Sequence, residues 1–338
     1  MTSEYVSLGH PDKTADYISE YILDKYLEAD KGTRYAVEVQ IKDNFVSLAG
    51  EVSSTASFTE DEIRKFVREA VEEVGYTHEY AEKWPEGTTL DASELEIYLH
   101  ISQQSRDIAQ GVDNDGWGDQ GIFWGMAVND PEHDYMPLDH WYAKKIGRYL
   151  YDKKFGGLDI KTQVAIKDGK PVECIVAIPT IPGTEESCIG SVESYVKSVL
   201  GTDCKVIVNG TGRYVVHSSV GDAGTTGRKL VVDFYGGNCR IGGGSPWTKD
   251  PTKADLTLNV YARKIAKEYV AKNGVAECQV AISCCIGRRE ITIDVYDGHG
   301  KLLETRTEDK TAKEVVSETG LDRAKFADLC RNGILSGV

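Results

Sequence analysis

Apolar residues recur along the chain with two different periods. Between 35 and 41 every second residue is apolar, which predicts a half-buried strand, and a second strand is expected over 45–49. Between 59 and 74 apolar residues recur every three to four positions, the spacing of an amphipathic helix. Thr59 and Glu62 fit a capping box at its start. The pattern therefore predicts a strand pair followed by a helix.

The same two patterns predict further elements throughout the chain. Helical spacing occurs near 11–29 and 256–272, and less strongly near 140–151 and 189–200. Additional strands are expected at 163–166, 172–178, 279–286 and 290–296. Strand pairs thus alternate with single helices. This order predicts an α+β protein whose sheets pack against helices on one face.

The segment from Gly221 to Asp255 follows neither period. It is rich in glycine and carries the cations Arg228, Lys229, Lys249 and Lys253. Glycine lets backbone N–H groups approach an anion, and lysine and arginine supply the charge that a polyphosphate requires. The run LVVDFY within the segment predicts a buried strand. We therefore predict a phosphate clamp, against the simpler interpretation of ordinary turns with solvated lysines.

Composition narrows the possible classes of protein. The 338 residues carry a formal net charge of −15, so clustered cations stand out and nonspecific nucleic-acid binding is not expected. Neither GxxxxGK[ST] nor GxGxxG occurs, which removes support for a P-loop or Rossmann site. No apolar run is long enough for a membrane span, and the N-terminus does not resemble a secretory signal. The eight scattered cysteines favour reduced thiols in a cytoplasmic protein.

Several motifs, in order, resemble those of the S-adenosylmethionine synthetases, or methionine adenosyltransferases. The glycine-rich segment carries GDAGTTGRK, DFYGG, GGG and KDPTKAD. Further matches are GHPDK at 9–13, QSRDIAQGVD at 104–113 with GDQG at 118–121, GLDIKTQV at 157–164 and NGTGRY at 209–214. The resemblance covers most of residues 4–300. It implies an enzyme that joins ATP to L-methionine and releases phosphate and pyrophosphate.

The resemblance also implies an architecture. Three related α/β subdomains are expected around a pseudo-threefold axis, over residues 1–106, 107–216 and 217–338. A homodimer or a dimer of dimers, with active sites between subunits, is expected as well. Only 114–117 separate Asp113 from Gly118, so the family's lid is short here, and the family's C-terminal tail is reduced. We expect Trp117 or a neighbouring subunit to cover part of the site; the alternative is a trimmed loop that leaves the site open.

The resemblance also implies roles for individual residues. The expected catalytic residues are His10, Lys161, Arg228, Lys229 and Lys249. The expected ATP-binding residues are His10, Asp119, Asp159, Lys161, Arg213, Tyr214, Asp222, Arg228, Lys229, Ser245 and Lys249. The expected methionine-binding residues are Glu51, Gln104, Asp222, Lys253 and Ile286. Asp12 and Asp255 would hold Mg²⁺, and Glu38 would hold K⁺.

Simpler interpretations exist for several of these residues. Asp12 can be an ordinary helix cap, and Glu38 and Glu51 can be solvated carboxylates on a sheet face. Two other functions remain open as well. The chain can be a noncatalytic family member that regulates a synthetase in mixed oligomers, or a polyphosphate or nucleotide hydrolase on the same scaffold.

Overall fold

The structure is a computed structural model that describes residues 1–103 and 116–336. The strands are β1 Thr2–Val6, β2 Arg34–Lys42, β3 Phe45–Ser53, β4 Glu96–Gln103, β5 Gly121–Val128, β6 Lys161–Lys167, β7 Lys170–Ala177, β8 Lys205–Val208, β9 Gly224–Thr225, β10 Glu277–Cys284, β11 Glu290–Asp297 and β12 Leu302–Asp309. The helices are α1 Pro11–Ala29, α2 Glu60–Val74, α3 His78–Ala81, α4 Leu138–Asp152, α5 Glu185–Leu200, α6 Ser218–Gly221, α7 Leu230–Asp233, α8 Ala254–Asn273, α9 Ala312–Thr319 and α10 Phe326–Asn332.

These strands form three four-stranded sheets. The first has the order β4-β3-β2-β9, and the second has the order β1-β6-β7-β8; each contains one parallel pair. The third, β12-β11-β10-β5, is antiparallel throughout. Helices α1 and α2 accompany the first sheet, α4 and α5 the second, and α8 and α9 the third. The predicted α+β class, with sheets packed against helices, is confirmed.

One edge strand of each sheet comes from a distant part of the chain. β1 pairs with β6 in the second sheet, β9 pairs with β2 in the first, and β5 pairs with β10 in the third. Consequently the start of the chain and the glycine-rich segment are both fixed by pairing with other units. The subdomain limits 1–106, 107–216 and 217–338 stay predictions.

The strongest helix predictions are confirmed together with their caps. Thr59 and Glu62 form the capping box of α2, and Gly75 ends that helix at φ 112°. α1 begins with Pro11 directly after His10, whose side chain caps it. On β2 the side chains of Tyr35 and Val37 are buried. Alternation along that strand therefore reports burial correctly.

The predicted strand LVVDFY is wrong. Its first four residues form the short helix α7, and Phe234 and Tyr235 follow it into the core. Asp233 receives Trp247 Nε1–H at 2.7 Å and Lys13 Nζ at 2.7 Å, and these contacts fix the backbone locally. A short apolar run does not distinguish a strand from a helix, so tertiary contacts decide its conformation.

The described chain shows neither a membrane-spanning helix nor a disulfide. In the described part of the chain, no helix is long and apolar enough to cross a membrane. All eight cysteines lie within the described residues, and each is a free thiol.

Candidate active site

One face of α1 holds both arms of the glycine-rich segment. The acidic residues Asp12, Asp16 and Glu20 recur every four positions, so their side chains share that face. They accept backbone hydrogen bonds from Thr225 N to Asp12 Oδ1 at 2.9 Å, from Gly227 N to Asp16 Oδ1 at 2.8 Å, and from Thr248 N to Glu20 Oε1 at 2.6 Å. Thus the position of both cationic loops is set by carboxylates of a single helix.

Asp12 is the buried centre of the first charged group. Its carboxylate lies 2.5 Å from Lys229 Nζ and 3.6 Å from Arg228 Nε. Burial raises the pKa of Asp12, but hydrogen bonds from Lys229 and Thr225 outweigh burial, so its pKa lies below 3.8. Asp12 is therefore ionised at neutral pH and neutralises the cations of the loop.

His10 lies at the N-terminus of α1 beside this pair. Its Nδ1 accepts the backbone N–H of Asp12 at 3.1 Å. Burial, followed by the charges of Lys229 and Lys161, lowers the pKa of His10 to about 3. The imidazole is therefore neutral at physiological pH, and because Nδ1 accepts a hydrogen bond, the proton is on Nε2. His10 can donate from Nε2 to an incoming anion.

Six residues expected to bind ATP line one cavity of about 480 Å³. They are His10, Asp159, Lys161, Arg213, Tyr214 and Asp222. The residues come from α1, from the start of β6 and from the segment between β8 and α7. The structure thus brings together side chains that are more than two hundred positions apart in sequence.

Asp159 is the most strongly perturbed carboxyl of this cavity. Burial raises the pKa of Asp159 to about 6, although the neighbouring Tyr214 hydroxyl and the charge of Lys161 act in the opposite direction. The backbone N–H of Ser218 donates to Asp159 Oδ2 at 3.1 Å. Its Oδ1 is buried and has no hydrogen-bond partner among the described residues. A buried acceptor without a partner is costly, so Asp159 is suited to receive a donor from a ligand.

Glu38 connects the two arms of the clamp. Its carboxylate accepts hydrogen bonds from the hydroxyls of Thr226 and Thr248, the latter at 3.1 Å. Thr226 lies two residues before Arg228, and Thr248 directly precedes Lys249. The side chain expected to hold K⁺ is therefore surrounded by oxygen atoms from both loops.

A second charged group lies at the start of α8. Lys249 forms an ion pair with Asp255, and a side chain at Gly244 would overlap the Asp255 carboxylate. Within the described residues, no hydrogen bond or ion pair joins this group to the cavity lined by His10. The expected site residues are consequently divided into two groups within one chain.

The remaining expected residues are found around these two groups. Ser245 packs against Gly227, and Lys253 directly precedes α8. The side chain of Asp119 is exposed, its carbonyl accepts from Cys284 Sγ at 3.4 Å, and Ile286 is exposed. Glu51 is half-buried on β3. Gln104 and residues 114–115 of the short lid lie outside the described residues.

Trp117 does not cover the site. Its ring is fully buried in the core of the third sheet, and its Nε1–H donates to the carbonyl of Lys310 at 3.1 Å. A buried indole with a satisfied hydrogen bond is a core residue, so the expectation of Trp117 as a cover is wrong.

Sequence reasoning missed the supports of the clamp. Asp16 and Glu20 bind its backbone, and Lys13 joins Asp16 at 3.0 Å to Asp233 at 2.7 Å. The four-residue spacing of acidic residues on α1 is a visible signal for this role, because a helix face that is acidic yet buried requires donors. Thr226 and Thr248 carry no comparable signal.

The fold and this site define a class: an α+β protein of three four-stranded sheets with a cationic, glycine-rich segment held on one helix. Two sequence profiles match the chain. The profile "S-adenosylmethionine synthetase, N-terminal domain" matches residues 1–106, and "S-adenosylmethionine synthetase, C-terminal domain" matches residues 216–332.

Individual proteins similar to this chain are S-adenosylmethionine synthases as well. The S-adenosylmethionine synthase of Zymomonas mobilis is 38% identical over 328 residues, which span 89% of this chain and 81% of that protein. S-adenosylmethionine synthase 2 of Rhodospirillum rubrum is 38% identical over 331 residues, with 90% and 82% covered. The chain is also similar to a solved structure of an unusual S-adenosylmethionine synthetase from Campylobacter jejuni. The two superpose with a TM-score of 0.87 at 30% sequence identity, and the match covers 99% of this chain and 94% of the Campylobacter chain.

The chain therefore belongs to the S-adenosylmethionine synthetase family. It spans a larger share of the Campylobacter chain than of the two synthases named above. In length it is thus more similar to the Campylobacter protein.

Proposed function

We propose that this protein is a methionine adenosyltransferase that forms S-adenosylmethionine from ATP and L-methionine. The observation that carries the proposal is the cavity of about 480 Å³ lined by six side chains expected to bind ATP. Membership of the family and the retention of the charged motif residues support it. The adenosyl group would lie among Asp159, Arg213 and Tyr214.

In the proposed reaction, the methionine sulfur attacks C5′ of ATP and the whole triphosphate leaves. The negative charge of the leaving group makes electrostatic stabilisation and positioning the main contributions to catalysis. Lys161, Arg228, Lys229 and Lys249 would surround the phosphates. His10 would donate from Nε2 to a phosphate oxygen, because its Nδ1 already accepts a hydrogen bond.

Mg²⁺ and K⁺ are the proposed cofactors. Mg²⁺ in nucleotide sites is commonly bound by one or two carboxylates together with phosphate oxygens, so single carboxylates such as Asp12 and Asp255 fit that role. Their present partners, Lys229 and Lys249, could turn to the phosphates. Glu38, with two threonine hydroxyls, offers the oxygen donors that K⁺ prefers. Bound Mg²⁺ would neutralise charge on the phosphates.

The methionine would be held by Glu51, Gln104, Asp222, Lys253 and Ile286. Because the Lys249–Asp255 group is not joined to the His10 cavity within the described residues, we propose that each site is completed by a second copy of the chain. A homodimer or a dimer of dimers, in the cytoplasm, is proposed on this ground and from the family. We also propose subdomains at 1–106, 107–216 and 217–338.

An activity assay tests the proposal. Purified protein is incubated with ATP, L-methionine, Mg²⁺ and K⁺, and S-adenosylmethionine is measured by chromatography. We expect product that requires both substrates. ATP consumption that does not depend on methionine would favour the hydrolase, and stimulation of another synthetase without intrinsic turnover would favour the regulatory member. Either result would overturn the proposed function.

A further inference from the structure

A second cavity, of about 220 Å³, lies beside α4. Its polar lining includes Tyr5, Lys13, His140, Lys144, Arg148 and Arg331. We call it the α4 cavity. It shares no lining residue with the cavity of about 480 Å³, although Lys13 and Asp233 of its lining also support the clamp. It therefore requires its own explanation.

Three basic residues of α4 face this cavity as a row. His140, Lys144 and Arg148 are spaced four positions apart, which places them on one side of the helix about 6 Å apart along its axis. The same side of α4 carries the buried Ala143 and Gly147. The row therefore lies on the inner side of α4, with His140 buried and Lys144 and Arg148 half-buried, where cations are costly without a partner.

The cations of the cavity differ in how their charge is balanced. Lys13 is paired with Asp16 and Asp233, and Arg331 lies 3.7 Å from Glu73. These charges are compensated within the protein.

Lys144 and Arg148 have only neutral partners. Lys144 Nζ donates to Ser336 Oγ at 3.5 Å, and Arg148 donates to the backbone and side-chain oxygens of Asn332 at 3.2 and 2.9 Å. In residues 1–103 and 116–336, no carboxylate forms an ion pair with either cation. The nearby carboxylates are already engaged, Asp134 by Lys267 and Asp233 by Lys13. Lys144 and Arg148 therefore lack an ion-pair partner, although Asp134 and Asp233 also line the cavity and their charges act on Lys144.

His140 gives an independent indication of a ligand. The side chain is 2% exposed, and its Nδ1 is buried without a hydrogen-bond partner among the described residues. Burial lowers the pKa of His140 to about 3, and burial together with the charge of Arg148 lowers the pKa of Lys144 to about 8. An anion beside the row would reverse both effects, because it stabilises the protonated forms.

We propose that the α4 cavity is a binding site for a phosphate-class dianion, held by Lys144, Arg148 and His140. Two neighbouring cations without an ion pair favour an anionic ligand, and the guanidinium of Arg148 matches the oxygens of a phosphate. At about 30 Å³ per water, the cavity has room for about seven waters, which is enough for phosphate and for diphosphate. The site is separate from the proposed transfer reaction.

Calorimetric titration with inorganic phosphate and with pyrophosphate tests the proposal. The wild type is compared with Lys144→Met, Arg148→Met and the control Lys153→Met, which removes an exposed charge just beyond the end of α4. We expect both cavity variants to lose one phosphate site per chain, or to raise its dissociation constant at least tenfold. The control retains that site. Equal binding in all four proteins, or no binding in the wild type, would overturn the proposal.

Thermal unfolding provides a second measurement. Without phosphate, Lys144→Met should unfold at the same temperature as the wild type or higher, since it removes a half-buried charge that has no ion pair. Phosphate should raise the midpoint of the wild type and Lys153→Met more than that of Lys144→Met, at equal ionic strength set with chloride. A Lys144→Met protein that is less stable without phosphate, or that responds to phosphate like the wild type, would make Lys144 a structural cation and contradict the site.

Discussion

The candidate active site and the α4 cavity are both cationic, but their charges are balanced differently. In the candidate active site, Lys229 pairs with Asp12, and across the clamp Lys249 pairs with Asp255. In the α4 cavity, Lys144 and Arg148 have no ion pair among the described residues. In the first arrangement the cations have carboxylate partners that phosphates would replace, whereas in the second the proposed anion would supply the missing ion-pair partner.

The difference explains how the clamp can be rigid and yet bind charge. The backbone of both loops is fixed by Asp12, Asp16 and Glu20 on α1, so little reorganisation is needed when phosphates enter. Preorganised donors of this kind stabilise developing charge most effectively. The α4 cavity is lined by Asp134 and Asp233, which pair with Lys267 and Lys13, and the proposed anion would supply a partner for Lys144 and Arg148.

The largest expected effect concerns His10. His10→Asn should lower kcat for S-adenosylmethionine formation by about 10²–10³-fold, as for loss of an oxyanion donor, with a smaller change in the KM for ATP. Steady-state kinetics measures both, and His299→Asn in an exposed turn is the control. A kcat within about twofold of the wild type would remove His10 from the mechanism.

The difference in charge balance can be tested by removing one cation from the candidate active site and one from the α4 cavity. Lys229→Met leaves the buried Asp12 without its closest partner and should lower the free energy of unfolding by about 3 kcal/mol. Lys144→Met should not lower it. Urea unfolding in phosphate-free buffer measures both. An equal decrease in the free energy of unfolding of both variants would show that Lys144 is stabilised by partners to the same extent as Lys229, which would contradict the proposed difference.

Asp159 should make stability depend on pH. Because the folded-state pKa of about 6 lies above the ordinary value, this carboxyl favours folding at low pH and opposes it as pH rises from about 4 through 6. Asp159→Asn should therefore stabilise the protein at pH 8 by up to about 3 kcal/mol and weaken ATP binding. Urea unfolding at pH 4 and pH 8 tests this. Asp203→Asn, in an exposed turn, should show neither effect. A gain that is equal at both pH values would contradict this account of Asp159.

The smallest expected effect concerns magnesium. Asp12→Asn and Asp255→Asn each remove a hard anionic ligand, so each should raise the Mg²⁺ concentration for half-maximal rate, by about tenfold or less. Asp12 should have the larger effect because it is the more deeply buried of the two. Initial rates over a magnesium titration measure this. Unchanged half-saturation in both variants would contradict the assignment.

Much of the fold could be predicted from sequence because periodicity reports burial directly. The alternation along β2 and the capping box of α2 are local signals, and the structure agrees with both. The helix α7 could not be predicted, since Asp233 is fixed by Lys13 and Trp247, which are remote in sequence. The prediction that Trp117 covers the site was wrong for the same reason. Its position after a loop motif does not reveal the core that surrounds it.

The site could be predicted only where motifs carry it. The cations and carboxylates expected from the resemblance could be located, but their division into two groups depends on the packing of three sheets. Likewise, the row of His140, Lys144 and Arg148 is visible as a spacing, whereas its burial without a counterion is a property of the folded chain.

The most direct test of the proposed function is a single-turnover experiment with rapid quenching, using ATP labelled in the γ-phosphate and saturating methionine. Excess enzyme is mixed with substrate, and S-adenosylmethionine, tripolyphosphate and phosphate are followed together. The account predicts that tripolyphosphate and S-adenosylmethionine appear at the same rate and in equal amounts, and that tripolyphosphate then decays to phosphate and pyrophosphate. Release of labelled phosphate before S-adenosylmethionine, or without methionine, would contradict it.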